Sequence, residues 1–311
     1  MNTLKHALKL IRFPNLVMMI FTLYAVRYLI LQPAFHLVQL ELVISNFYFA
    51  LLVIATVSIA AGGYLINDIF DVESDSLNDK PNLIGETISK KSATWIYYTF
   101  NIIGIGCGLA VCIQISQISL ATLFLITACV LYYYAFNYKK IFLLKNIIIA
   151  ILCAFLILMP VLFEFFALIS QPFNFNAGNF AFDSVMPMIW LLCAFAFFYT
   201  LLRELIKDLE DMQGDTETNC ITVPVKIGIK NTKIISYFLI LILFALTLTG
   251  FFLLMPQHEW KSISFLVVLW NIPLIYITYL LIKAKEKQQF HYLGLIVKVA
   301  MLMGLVGWFW I

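Results

Sequence analysis

The sequence has 311 residues, 63% hydrophobic and 12% charged, with a mean hydropathy of +0.95 and a formal net charge of +3. Soluble domains carry about a quarter charged residues, so this chain cannot cover itself with a water-compatible surface; a soluble enzyme, a nucleic-acid binder and a disordered protein are excluded. Apolar runs continuous over ~20 residues exclude an outer-membrane barrel, and a multi-span helical membrane protein remains, because backbone in lipid must satisfy its own hydrogen bonds.

Hydropathy predicts nine spans, taken in chain order as 14–32, 44–66, 94–114, 116–137, 142–165, 185–205, 233–255, 261–283 and 291–310. The first follows Lys5, Lys9 and Arg12, has no small-residue cleavage site after it, and reads as a retained span rather than a signal peptide. Pro33, Pro81, Pro172 and Pro256 mark breaks between spans, and the connections near 115 and 140 are short enough to make their neighbours antiparallel. A Phe-, Asn- and Gly-rich stretch around 166–184 reads as an outer connection. The predicted fold is a single all-α integral membrane domain over 1–311.

Basic residues orient the spans. Lys5, Lys9, Arg12, Lys80, Lys90, Lys91, Lys139, Lys140, Lys145, Arg203, Lys207, Lys226, Lys230, Lys233, Lys283, Lys285 and Lys287 all fall on one side. Only Lys261 falls on the other, and Arg27 and Lys298 lie within spans. The positive-inside rule then puts the amino terminus in the cytoplasm and the carboxyl terminus outside, as nine spans require. Trp308-Phe309-Trp310 reads as an interfacial anchor on the outer side. The six cysteines form no CxxC pair and the four histidines fit no ligand spacing, so both sets read as structural or solvated.

The acidic residues cluster. Twelve of the 17 sit after the second and sixth spans, on the cytoplasmic side. Asp68, Asp71 and Asp75 fall at offsets 0, 3 and 7, and Asp208, Asp211 and Asp215 repeat those offsets. On a helix these positions share one face, where like charges repel unless a cation neutralises them. Carboxylate oxygens, with the amide of Asn67, suit Mg²⁺, which bridges carboxylates to substrate phosphates. Two such arrays could hold two Mg²⁺ ions with a diphosphate between them. Lys80, Lys139, Arg203 and Lys207 could take the remaining phosphate oxygens.

The segment Asn67-Asp68-Ile69-Phe70-Asp71-Val72-Glu73-Ser74-Asp75 has the form NDxxDxxxD and resembles the first signature of the UbiA superfamily of intramembrane prenyltransferases. Arg203 to Asp215 resembles that superfamily's second aspartate motif, and Thr222-Val223-Pro224 with Gly228 resembles its continuation. Tyr134 and Lys139, with Asn146 beyond, resemble the Tyr…Lys element, here with a spacing of five. Ile11-Arg12-Phe13-Pro14-Asn15 resembles the family's start. The resemblance covers about residues 8–305. It implies a helix bundle around a central cavity capped by both aspartate motifs. It also implies Mg²⁺ as cofactor, an isoprenoid diphosphate as donor and a lipophilic acceptor. By the same resemblance Asn67, Asp68, Asp71 and Asp75 hold one ion and Asp208, Asp211 and Asp215 the other, with Asp71, Asp75, Asp211 and Asp215 as the catalytic carboxylates. Lys80, Tyr134, Lys139, Arg203, Lys207 and Asn15 bind substrate.

The Arg203-Glu204 pair before a KDxEDxxGD second motif resembles the enzymes that attach geranylgeranyl to geranylgeranylglyceryl phosphate, with Gln213 a departure from the common Glu. An aromatic quinone precursor remains the alternative acceptor, and Arg12 and Arg27 could serve either. A cation-coupled transporter is the rival class, but it would carry its acids near the bilayer midplane, whereas these sit at span ends. Tyr134 and Tyr199 could offer ring faces to an allylic cation. No protein partner is implied, and the expected location is a prokaryotic plasma membrane with the site facing the cytoplasm.

Overall fold

The structure is a computed structural model, and it describes residues 6, 8–77, 82–85, 87–138, 141–218, 220–254 and 260–307. Among these the regular structure is helical apart from a single bridge between Ile84 and Ile88. The helices are α1 (Phe13–Ala25), a π-helical stretch (Val26–Leu31), α2 (Gln32–Leu37), α3 (Asn46–Leu77), α4 (Lys90–Gln114), α5 (Ala121–Phe136), α6 (Leu144–Ile169), α7 (Phe175–Glu217), α8 (Val223–Leu254), α9 (Trp260–Lys283) and α10 (Lys287–Gly307). Seven helical segments among the described residues are long and apolar enough to cross a membrane: Phe13–Leu37, Asn46–Val72, Lys90–Gln114, Ile118–Phe136, Leu144–Ile169, Phe175–Glu217 and Val223–Leu253. The eighth and ninth expected spans coincide with α9, apolar over Val267–Lys283, and α10. Trp308-Phe309-Trp310, Pro81 and Pro256 lie outside the described residues.

Two boundaries differ from expectation. Pro33 does not stop the first span. It occupies the opening turn of α2, where its missing N–H is not needed, and the helix runs on to Leu37. The expected connection at 166–184 is mostly helical: α7 begins at Phe175 and continues for 43 residues. Within its first turn Gly178 packs against the Leu168 side chain, which would have to shift if a Cβ were added there.

The chain divides into two compact units, Met1–Lys139 with Met159–Phe182, and Lys140–Leu158 with Asp183–Ile311. In the first unit α3 packs against α4 at glycines. A Cβ on Gly104 would meet Ile59 Cγ1 at 2.7 Å and the Ala55 carbonyl oxygen at 3.0 Å, the close backbone approach that small residues give membrane helices. At 1.5 Å per residue the 32 residues of α3 rise about 48 Å. That exceeds the ~30 Å hydrocarbon layer, and the excess carries Asn67–Asp75.

At the opposite end of α3 lies a buried charge network. Arg27, on the π-helical stretch, pairs with Glu164 at 3.7 Å and donates to the Ile44 carbonyl at 2.5 Å. Glu164 accepts from the backbone N–H groups of Val43 and Ile44, and the Arg27 guanidinium stands 4.4 Å from the Phe49 ring centroid. Arg27, a possible acceptor ligand by sequence, is therefore engaged in tying the 38–45 connection to α6.

In the second unit the core is built from one stripe of each of four helices. Leu202, Leu205 and Ile206 of α7 meet Leu239 and Leu243 of α8, Leu274 and Ile277 of α9, and Leu293 and Val297 of α10, all buried. Tyr199 is 8% exposed within this cluster and stacks on Phe195, so it serves as packing.

Candidate functional site

Both acidic arrays are extensions of spanning helices rather than loops. Asn67, Asp68, Asp71 and Asp75 lie on α3, and Asp208, Asp211 and Asp215 on α7. Continuing the helix keeps backbone N–H and C=O groups paired and holds offsets 0, 3 and 7 on one face.

In the first unit, Leu65, Ile66 and Ile69 of α3 bury against Leu10, Ile84 and Ala135. That apolar stripe fixes the helix and leaves the aspartates on other faces. The Asn67 amide donates to Asp71 Oδ2 at 2.6 Å, one turn on. Arg12 pairs with Asp68 Oδ1 at 3.0 Å and lies 5.0 Å from the Tyr64 ring centroid. Burial opposes the Arg12 charge, but Asp68, Tyr64 and Tyr134 more than offset it, and its pKa is raised. Asn15 donates to the Tyr64 hydroxyl over 3.4 Å, so Asn15, Tyr64 and Arg12 form one polar edge. Tyr134, on α5, contributes to the field at Arg12.

Asn82 was not singled out by sequence. Its amide donates to Asp75 Oδ2 at 2.9 Å and to the Asp68 carbonyl oxygen at 3.0 Å, while its own oxygen accepts from Ile84 N–H. One carboxamide thus fastens the connection after α3 back onto the aspartate array. Lys80 and Lys139 lie outside the described residues.

In the second unit, Asp208 is 1% exposed and pairs with Lys145 Nζ at 2.5 Å. The Asn146 amide donates to its other oxygen at 2.9 Å. Arg203 pairs with Glu204, 2.7 Å away and itself buried. Asp211 is 9% exposed, and Lys207 is exposed. Glu210 meets His291 of α10 at 2.9 Å. Leu209 packs with Ala284 and Phe290, which anchors this turn of α7.

Among the described residues no three His, Cys, Asp or Glu side chains converge as a metal-binding group. The donor chemistry nevertheless fits a hard divalent cation. Asn67, Asp71 and Asp75 in one array, and Asp211 and Asp215 in the other, offer only carboxylate and carboxamide oxygens, with no thiolate or imidazole among them.

Residues 19–303 match the UbiA prenyltransferase family. The digeranylgeranylglyceryl phosphate synthase of Sulfurisphaera tokodaii is 34% identical over 196 residues, which cover 62% of this chain and 63% of that protein. The chain thus spans less than two thirds of that relative's length. A solved structure concerned with digeranylgeranylglyceryl phosphate synthase in membranes superposes with a TM-score of 0.65 at 24% identity, covering 99% of this chain and 98% of the other. A UbiA homologue from Archaeoglobus fulgidus bound to DMAPP and Mg²⁺ superposes with a TM-score of 0.54 at 16% identity, covering 97% and 98%. At these identities the two structures show a shared fold.

Proposed function

The chain belongs to the UbiA prenyltransferase family, and from that premise we propose that it transfers a prenyl group from an isoprenoid diphosphate to a lipophilic acceptor. The acceptor class favoured is a prenylglyceryl phosphate, geranylgeranylglyceryl phosphate in particular. The observation that carries this reading is the pair of matched aspartate arrays on helical extensions, each beside a cation: Arg12 in one unit, and Lys145 with Arg203 in the other. The relative from Sulfurisphaera tokodaii, by its name, supports the choice of acceptor.

Breaking the allylic C–O bond leaves positive charge on the prenyl carbons and adds negative charge to the departing diphosphate. Mg²⁺, when bound, neutralises that growing negative charge. Asn67, Asp68, Asp71 and Asp75 would hold one ion and Asp208, Asp211 and Asp215 the other. Arg203, Lys207, Lys80 and Lys139 bind diphosphate oxygens, Arg203 as a bidentate fork and the lysines as point charges. Asn15 and Tyr134, near Arg12, line the polar edge on the donor side. The apolar spans take the prenyl chain and exclude water from the allylic cation.

The protein is an integral membrane protein. The proposal keeps nine spans, an amino terminus in the cytoplasm and both arrays on that face, supported by the one-sided distribution of Lys and Arg.

The test is a transfer assay on purified full-length protein with labelled geranylgeranyl diphosphate. Acceptors are geranylgeranylglyceryl phosphate and a panel of hydroxybenzoates and dihydroxynaphthoates. The expected product forms from the glyceryl phosphate, disappears with EDTA and returns with Mg²⁺. Product from an aromatic acceptor alone would move the enzyme to quinone-precursor prenylation. Asp71→Ala and Asp211→Ala are expected to lose at least about 100-fold in kcat while the protein stays monodisperse in detergent, since each removes a carboxylate that would hold Mg²⁺ where negative charge develops. Full turnover in both variants would sink the reading.

A further inference from the structure

The turn between α9 and α10 is fastened from several sides. Gln289 Oε1 accepts from the backbone N–H groups of Lys285 and Glu286 at 2.6 and 3.2 Å, and Lys233 Nζ donates to the Ala284 carbonyl at 2.5 Å. Ala284 and Phe290 are buried with Leu209. With the backbone held in this way, Lys283, Lys285 and Lys287 are exposed, against one acid of the turn, Glu286. His291, the next titratable side chain, is engaged by Glu210.

Two exposed stripes lead away from the turn. On α9 Lys283, Tyr279, Tyr276 and Ile272 recur at spacings of four, three and four, and on α10 Tyr292, Leu295 and Val299 recur at three and four. Each set therefore shares one helix face. The stripes meet where the Tyr276 and Tyr292 hydroxyls stand 3.4 Å apart. Tyr276 stacks on Tyr279 with ring centroids 6.4 Å apart. Lys283 Nζ lies 4.3 Å from the Tyr279 ring centroid and donates to its hydroxyl. Cation, phenol, phenol pair and aliphatic side chains thus follow one another in that order.

Tyrosines and lysines are common at membrane interfaces, but here they touch one another across two helices, and their order is that of a lipid. At 1.5 Å per residue Tyr279 lies about 6 Å and Tyr276 about 10.5 Å along α9 from Lys283. A head-group layer is about 5–8 Å thick. With Lys283 at the depth of the lipid phosphates, Tyr279 reaches the glycerol region and the Tyr276–Tyr292 pair the start of the chains. The Lys283 ammonium has three protons and gives one to Tyr279, whose own hydroxyl proton is still to be donated. Within the Tyr276–Tyr292 pair one proton is shared and the other is left for an acceptor in the lipid.

We propose that this α9–α10 face binds an anionic glycerophospholipid of the surrounding bilayer. Lys283 and the Tyr279 hydroxyl take the head-group phosphate, the Tyr276–Tyr292 pair takes the oxygens that link glycerol to the chains, and the chains lie along Ile272, Leu295 and Val299. Charge complementarity selects the head group: three lysines against one glutamate balance a net negative head and not a zwitterionic one. The assignment does not depend on the proposed transfer reaction.

The experiment uses the full chain in detergent micelles doped with equal amounts of dioleoylphosphatidylglycerol and dioleoylphosphatidylcholine, and native mass spectrometry counts the lipids retained. Wild type is expected to retain phosphatidylglycerol in preference. Lys283→Gln is expected to lower the ratio of the two lipids about fivefold, and Tyr279→Leu about threefold. The double variant Tyr276→Phe/Tyr292→Phe, which keeps both rings, is expected to lower total retention about twofold or more. Lys283→Arg should keep the wild-type ratio. Lys230→Gln, an exposed lysine elsewhere on the second unit, should leave it unchanged. These side chains are exposed, so the variants should keep the wild-type melting temperature in lipid-free detergent. No preference in wild type overturns the proposal. So does a loss in Lys230→Gln equal to that in Lys283→Gln, which would mean attraction to the basic face as a whole. Unchanged retention in Tyr279→Leu and in the double phenylalanine variant would likewise overturn it.

Discussion

Asn82 supports the first array without belonging to it. A ligand carboxylate that rotates freely binds a cation weakly, and neighbours that fix its orientation are commonly worth 10- to 100-fold in metal affinity or activity. Asn82 fixes Asp75 from a connection that its other contacts, to the Asp68 carbonyl and Ile84 N–H, hold in place. Asn82→Ala is therefore expected to raise the Mg²⁺ needed for half-maximal transfer about tenfold. An Mg²⁺ titration of the variant checks this, and an unchanged half-point would reduce Asn82 to a loop tether. The Asn67–Asp71 contact is readable from sequence because the two residues are one helical turn apart. Asn82 is not, since it lies seven residues beyond Asp75 and past Pro81, where helical register no longer says which residues meet. The Lys145–Asp208 pair, 63 positions apart, is hidden for the same reason; by sequence Lys145 is one more orienting lysine.

Among the elements, two features carry stability. Gly104 lets α4 lie against the backbone of α3, so Gly104→Val must push Ile59 and the Ala55 carbonyl aside. Overpacking of this kind costs about 1–3 kcal/mol, and a lowered melting temperature in detergent is the expected readout. The Arg27–Glu164 network is the second. Arg27→Met leaves Glu164 buried without its cation and is expected to cost about 3–5 kcal/mol. Adding Glu164→Gln removes the stranded charge while keeping an oxygen for the Val43 and Ile44 amides, so the double variant should melt above the single one. A double variant melting lower would mean that the carboxylate charge itself is needed. Hydropathy makes the spans legible because continuous apolar runs have few other solutions. It misses the first ten residues of α7, where Asn176, Gly178, Asn179 and Asp183 dilute the signal although the chain is helical. It also reads Pro33 as a stop, because composition does not show that the helix continues past it to Leu37.

For the molecule as a whole, the asymmetry of Lys and Arg is the strongest guide to how the chain sits in a bilayer. A reporter active only outside the membrane, fused after Gln171, is expected to be active, and the same reporter fused after Thr218 silent. The opposite pattern would invert the topology and put both arrays on the outer face. The length of α3 adds a consequence of its own. Its apolar part, Asn46–Ile66, rises about 31 Å, close to the thickness of a hydrocarbon layer, and the aspartates follow without a break in the helix. The helix is in effect a ruler with its scale marked in carboxylates. In a thicker membrane it would have to thin the bilayer around it, or draw charged oxygens towards lipid; in a thinner one it would tilt, or the array would stand clear of the interface. Bilayer thickness thereby becomes a variable of the proposed transfer reaction.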